Sequence, residues 1–303
     1  MTEDRTAITT PGVYDLPAHT YHADPVPGGS LSASAARKLL PPSCPARFRY
    51  WVDFGQEPKA EFDFGHAAHA EALGVGEPIH VIDADDFRTK AARAERDAAY
   101  ADGRTPILAH EYERVQAMAT ALREHPVAGS LFHPDRGRPE QSVFWTDPRT
   151  GIWRRAMLDW LPHPVDRQRF IVSDYKTCTS ADPEAISRAM HSYGYCQQAD
   201  WYLDAVAAAG LTARDEAAFL FVFQEKQPPY LVTVAQPDPE ALLWGSRLNA
   251  KAIDVYAHCA ATGHWPGYAD DVISVGLPIW ATRQHEDAFL AGHYDLTERN
   301  PAA

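Results

Sequence analysis

At 303 residues, with 45% apolar and 23% charged side chains, the chain can bury one substantial core and has the composition of an ordinary globular protein. A formal charge of −13 speaks against a broad phosphate-binding face, which leaves a basic footprint, and no run approaches the ~18 apolar residues of a membrane span. The opening MTEDRTAITTPG lacks the basic flank and apolar centre of a signal peptide, so a cytoplasmic protein without membrane attachment is expected. The four cysteines, Cys44, Cys178, Cys196 and Cys259, are widely separated with no C-x-x-C pair, which argues against a zinc ribbon and against an iron–sulfur cluster. No G-x-x-x-x-G-K-[ST] run is present, so no ATP-driven motor is expected.

Residues 1–30 are rich in Pro, Gly and Thr and read as an extended N-terminal arm with turns at PVPGGS. SLSASAARKLL then reads as a short helix, capped by Ser30 or Ser32 and ended by Pro41 and Pro42. CPARFRYWVDF mixes basic and aromatic residues and reads either as an amphipathic packing segment or as a strip that tracks phosphates. Arg37, Lys38, Arg47 and Arg49 lie in or just before it; with Arg154 and Arg155 further on, they are the candidate nucleic-acid contacts.

FDFGHAAHAEALG, residues 62–74, reads as a helix with His66 and His69 about one turn apart. Scaffold helices follow near residues 84–99 and 111–124. From Pro139 the pattern changes to strands: EQSVFWTD, IWRRAMLDWL and RFIVSDYKT, joined by turns at residues 148–151 and 162–166, form an antiparallel meander. Pro183 opens a long helical stretch to Gly210, with Gly194 as the place for a kink. AAFLFVFQEKQPPYLVTVA reads as a hairpin turning at Pro228–Pro229, and DPEALLWGSRLNAKAIDVYAHCAATG as a second long helix. The fold class is α/β or α+β, a central mixed sheet flanked by helices, with one domain over residues 31–270, its sheet core within about 140–235, and a loop-like tail over 271–303.

The acidic residues of the meander fall one to a strand: Glu140, Asp159 and Asp174, with Lys176 two positions beyond the last. Side chains two apart share a strand face, so Asp174 and Lys176 stand side by side at the strand's end. If the strands pair in the order read, Asp159 and Asp174 approach each other near one end of the sheet. Two close carboxylates repel unless a proton or cation relieves them, and such oxygen donors suit Mg²⁺ or Mn²⁺. A lysine beside them can orient or help deprotonate an attacking water and stabilise charge on a phosphate. Taken alone, the D-x-K pattern is equally a salt-bridged strand end. The order in which GHAAH, Glu140, LDW, SDYKT and QADWY follow one another is more specific; in the last, Gln198 and Tyr202 share a helix face.

This ordered set resembles the PD-(D/E)XK nuclease superfamily, in particular its RecB-like and RecE-type exonuclease branch known from phages and prophages. YHADPVPGGSLSASAARKLLPPSCPARFRYW is similar to the N-terminal segment of that branch, PEQSVFWTDPRTGIWRRAMLDWL to its stretch ending in a catalytic Asp, and EKQPPYLVTV and GHWPGY also look familial. The resemblance implies a restriction-endonuclease-like core in which His69, Asp159, Asp174 and the backbone carbonyl of Tyr175 hold the metal. It further implies Glu140 as an additional ligand or a residue behind one, Lys176 as the catalytic lysine, and Gln198 and Tyr202 as residues that support the site and contact DNA. Tyr202 also reads as a buried anchor, and His66 as packing or as support for the ligands. The implied activity is Mg²⁺-dependent exodeoxyribonuclease action on linear duplex DNA, 5′ to 3′. It would generate single-stranded tails for recombination, with a single-strand annealing protein as partner and a homo-oligomeric assembly. A CRISPR-associated-type RecB-like nuclease, or an endonuclease on single-stranded or branched DNA, would use the same site; a catalytically idle DNA-binding protein would keep only the fold. The scattered cysteines depart from the four that hold an iron–sulfur cluster in some RecB-like nucleases.

Overall fold

Largely apolar runs between residues 137 and 178, whose successive side chains go to opposite buried faces, build three long strands, and every other layer is organised around them. The computed structural model describes residues 7–55, 63–165 and 168–293, so Phe62 and Asp166, which the expected helix and turn include, lie outside the described residues. The first elements are β1 (Gly12–Asp15), α1 (Ala18–His22), β2 (Leu31–Ser32), α2 (Ala33–Lys38), α3 (Pro45–Phe54) and α4 (Asp63–Leu73). There follow β3 (Ile79–Ile82), α5 (Lys90–Ala101), β4 (Thr105–Leu108), α6 (Ala109–Glu124) and α7 (Ala128–Leu131). The meander comprises β5 (Gly137–Thr146), β6 (Trp153–Pro162) and β7 (Phe170–Cys178). The chain continues through α8 (Pro183–Ser192), α9 (Tyr195–Ala208), β8 (Ala217–Glu225), β9 (Val232–Ala235), α10 (Pro239–Thr262) and α11 (Ile279–Leu290).

The main sheet has the order β1-β5-β6-β7-β8-β9, with β2 beside β6. β5, β6 and β7 are antiparallel neighbours, whereas β7 and β8 run parallel from Phe170↔Ala217 to Cys178↔Glu225. A parallel pair needs a crossover, and α8 with α9 supplies it. β8 and β9 form the expected hairpin. One face of the sheet packs Trp145, Leu158, Val172 and Phe221 against Trp201 of α9 and Ile253 of α10; the other packs Trp160, Tyr175 and Val222 against Met118 and Leu122 of α6. Each such side chain, fully buried, contributes about 1.5–3 kcal/mol of transfer free energy.

Local chemistry sets the helix ends. The Ser32 hydroxyl accepts from the Ala35 N–H at 3.3 Å and starts α2; Asp182 and Asp238 cap α8 and α10, each followed by a proline in the first turn. The stretch expected as one helix over residues 183–210 is two, because Gly194 adopts φ 67°, ψ 34° and turns the chain between α8 and α9. Three further expectations change. Part of the supposed free arm is a sheet edge, β1 pairing antiparallel with β5 from Gly12↔Phe144 to Asp15↔Gln141. The helix expected near residues 84–99 starts only at Lys90, capped by Thr89, and the small parallel sheet β3–β4 lies on either side of it; its four-residue strands are too short to show a period. Residues 266–293 belong to a separate compact unit containing α11, where a loop-like tail is expected. Among the described residues no helix is long and apolar enough to cross a membrane.

Gly245 marks the contact between α10 and α9: a Cβ there would overlap the Cys196 carbonyl and lie 3.2 Å from the Asp200 Cβ. Gly245→Ala gains helix propensity, at most ~1 kcal/mol, but forces two helices apart at backbone. The expected net effect is a loss of about 1–3 kcal/mol, read as a lower urea midpoint at unchanged slope.

Candidate functional site

Asp159, Asp174 and Lys176 meet where the ladder between β6 and β7 opens. Backbone register between these strands is recorded at Trp160↔Ser173, and just beyond it the Tyr175 N–H donates to Asp159 Oδ2 at 2.9 Å, where a ladder would offer a β6 carbonyl. In an extended strand the N–H and C=O of one residue point to the same edge, so the Tyr175 carbonyl faces the same opening. The β5–β6 ladder is disturbed at the same level. Pro139↔Trp160 and Gln141↔Leu158 pair, the intervening Glu140 and Asp159 do not, and Glu140 adopts φ 46°. That left-handed conformation costs a non-glycine residue about 1–3 kcal/mol. The burial phase of β6 slips here too: Ala156 and Leu158 face the α9 layer, while Trp160 faces α6. Asp159 is thereby turned into the gap between strands, out of both packed faces.

The side chains that approach these carboxylates come from three elements. From α4, His69 places Nε2 3.1 Å from Asp159 Oδ2 and Nδ1 3.7 Å from Glu140 Oε1. From β7 itself, Lys176 Nζ lies 2.5 Å from Asp174 Oδ2. From α9, Gln198 Nε2 donates to Asp174 Oδ1 at 2.6 Å. Behind the site the Tyr175 hydroxyl donates to Gln224 Oε1 at 2.6 Å, and the Gln224 amide donates to the Met118 carbonyl at 2.8 Å, which fixes β7 against β8 and α6.

Burial and mutual repulsion split the two aspartates. Asp174, 0% exposed, has its pKa pushed up to about 7, first by burial and then by the charge of Asp159. Burial alone would raise Asp159 as well, but His69, Lys176 and the Tyr175 N–H override it and hold Asp159 below the usual carboxylate value. For His69 burial opposes protonation, and the carboxylates of Asp159, Glu140 and Asp174 outweigh it and raise the pKa. Glu140 is raised mainly by burial.

Among the described residues, no three His, Cys, Asp or Glu side chains already converge as a ligand set. His69 lies against Asp159 and Glu140, and Lys176 against Asp174. The donor chemistry nonetheless fits a hard divalent cation. Asp174 Oδ2 is buried, and the Lys176 ammonium 2.5 Å away is the cation that offsets its charge, in the place a metal would share. Acidic oxygens of Asp159 and Glu140 and the Tyr175 carbonyl lie around the same gap.

Asp159, Lys176, Gln198 and Tyr202 open onto a cleft of about 810 Å³ whose wall also carries Arg37 and Lys38. Gln198 and Tyr202 are therefore brought to the site; Tyr202 packs edge-on against Phe219, and burial raises its pKa well above the ordinary value. Of the remaining basic candidates, Arg49, Arg154 and Arg155 are paired with acids inside the molecule. Arg154 is 3% exposed, its guanidinium 3.9 Å from the Trp201 ring and bonded to Asp204 Oδ2 at 3.1 Å. Arg155 reaches the cleft wall, yet it is ion-paired with Asp24 and donates to Ser30 O and Oγ at 2.8 Å. Both sit on a strand covered on its two faces, so each charge needs internal partners and is not available to line an approach for DNA. Arg49 pairs with Asp53 one turn along α3, and Arg47 is exposed on the same helix. His66 is exposed on α4. Residue spacing did not reveal Gln224, a fully buried amide at the end of an apolar run, nor the aromatic pair Tyr193 and Tyr195 at the cleft wall.

The family model of a PDDEXK-like domain of unknown function (DUF3799) matches residues 53–275. No curated protein matches the chain by sequence. Among solved structures, a candidate exonuclease from Eubacterium rectale superposes with TM-score 0.58 at 11% identity, covering 89% of this chain and 98% of that one, a likeness of fold. The crystal structure of SSO0001, 14% identical, covers 71% of this chain and 99% of its own with TM-score 0.27, too low to bear on the fold. The match over most of the chain and the shared architecture agree: the chain belongs to the PDDEXK-like family, within the PD-(D/E)XK nuclease superfamily.

Proposed function

We propose that the protein is a Mg²⁺-dependent exodeoxyribonuclease acting on linear duplex DNA. The observation that carries this reading is the Asp174–Lys176 pair beside Asp159, with Lys176 and Asp159 on the wall of a cleft that also presents Arg37 and Lys38. Asp159, Asp174 and the Tyr175 carbonyl would hold the metal, with Glu140 and His69 next to them. Once bound, the cation supplies Lewis acidity toward a phosphoryl oxygen.

Lys176 has a narrower role than its type alone allows. Burial would lower its pKa, but Asp174 and Asp159 override that and raise it above the ordinary lysine value. The ammonium is therefore the resident form, which suits a group that orients the attacking water and donates to the charge building on phosphate, rather than a base. Water attacks phosphorus in line and gives up a proton to solvent, the bond to the 3′ oxygen breaks and that oxygen takes up a proton, and the product keeps a 5′-phosphate. Gln198 holds Asp174 in place throughout.

Action from an end, 5′ to 3′, is proposed from the motif resemblance; the description of the Eubacterium rectale neighbour as a candidate exonuclease supports action from an end. The production of tails for a single-strand annealing partner, and a homo-oligomeric assembly, are proposed on the resemblance alone.

Incubation with Mg²⁺ of end-labelled linear duplex and closed-circular DNA tests the reading. Wild type is expected to degrade only the linear form, and Lys176→Ala to lower the rate about a hundredfold to a thousandfold while unfolding as a native chain does. Cleavage of the circle would point to an endonuclease; survival of both forms with cleavage of single or branched strands would remove the duplex assignment. A second expectation concerns protons. Metal binds the ionised carboxylates, so below the Asp174 value of about 7 a proton competes for the site and the apparent affinity falls with falling pH. Titration calorimetry with Mn²⁺ should show binding weaker by about tenfold per pH unit on the acid side, and release of protons into the buffer.

A further inference from the structure

Beside the carboxylates, the cleft wall holds two tyrosines that the hydrolytic reading leaves without a role. Tyr193 and Tyr195 flank Gly194, whose left-handed turn sets both rings on one side, centroids 5.5 Å apart and planes 30° from parallel. Tyr195 is the inner member: its ring lies 5.1 Å from Phe221, and Lys176 Nζ is 5.4 Å from its centroid. Tyr193 is the outer member and remains 62% exposed, although one side of its ring is covered by Tyr195. The run therefore leads from the lysine at the carboxylates to an open aromatic face.

The pair is braced from behind. Arg37 donates to the Ser192 carbonyl at the end of α8, and its Cδ lies where a side chain on Gly194 would sit, 2.7 Å from an added Cβ. The turn is thus fixed in shape, and the same arginine keeps positive charge beside the rings in the cleft. A flat, braced, exposed ring next to a cation and a few residues from a phosphodiester-cleaving centre matches the chemistry of a nucleobase above its phosphate.

We propose that Tyr193, supported by Tyr195 and Arg37, is a stacking platform for an unpaired nucleobase of the strand being cut. The inference rests on the nuclease reading above and narrows its substrate: a base can lie on Tyr193 only after leaving its own duplex stack, so the strand is unpaired at this point. An end with a frayed or overhanging nucleotide is then bound in preference to a blunt one. Stacking on a π-face is tolerant of sequence, because every base has one.

The test uses overhang-bearing oligonucleotides with 2-aminopurine at each end position in turn, Ca²⁺ replacing Mg²⁺, titrated with wild type, Tyr193→Phe and Tyr193→Ala. Wild type and Tyr193→Phe are expected to quench the fluorescence at one position. Tyr193→Ala is expected to lose that quenching and to bind about tenfold more weakly, equivalent to about 1.4 kcal/mol. An abasic site at the same position should cost wild type the same factor and the alanine variant nothing further, which keeps the test decisive even if the variant folds poorly. Equal quenching and affinity in Tyr193→Ala, or indifference of wild type to the abasic site, overturns the platform. Hydrolysis of labelled DNA by wild type is scored separately, so that result leaves the nuclease reading standing; a wild type that binds no oligonucleotide overturns both.

Discussion

The structure depends on the burial of two carboxylates, Asp159 and Asp174, at a place where a sheet stops pairing. A buried charge without partners costs far more than any single contact returns, so every neighbouring element has to bring compensation. Asp159 takes the Tyr175 N–H that the ladder would otherwise have used, and His69 from α4; Asp174 takes Gln198 from α9 and the Lys176 ammonium. Helices from both faces converge on this point for an electrostatic reason, and the disturbed register at Glu140 is the backbone's share of the same requirement. The compensation is incomplete, since burial and the charge of Asp159 still hold the Asp174 pKa high. An incompletely relieved pair of acids is what a divalent cation needs in order to bind with a gain.

Features written in short-range pattern were legible from the chain. The meander, the β8–β9 hairpin, the cap in the Ser30–Ser32 stretch, realised at Ser32, and the D-x-K pair all follow from spacings of two to four residues. Features that depend on distant partners were not. Arg154 meets Asp204 across 50 residues of sequence and Arg155 meets Ser30 across 125, so nothing local distinguishes them from cations facing solvent. The strands β3 and β4, four residues each, stabilise one another only across the helix between them. At the site, the acids and the lysine could be named in advance. The positive φ of Glu140 and the bracing of Tyr175 by Gln224 arise only after the strands have met.

The acidic total of −13 takes on a different meaning once the basic residues are located. Arg49, Arg154 and Arg155 are neutralised inside the molecule or along a helix and Lys176 is paired with Asp174, so among the described residues Arg37 and Lys38 are the cleft cations with no carboxylate ion pair. Lys38 is itself half-committed, its ammonium 3.7 Å from the Trp51 ring and its pKa lowered by burial and by Arg37. A polyanion entering this cleft meets two cations and then a centre rich in carboxylates, so phosphate attraction alone cannot draw a strand to the point of cleavage. Two other sources of affinity remain: a divalent cation, which turns the most repulsive part of the cleft into an attractive one, and ring faces, which bind bases without regard to charge. On the proposed reading the carboxylates and the aromatic wall act together: metal and an unpaired base supply the affinity that two cleft cations alone do not.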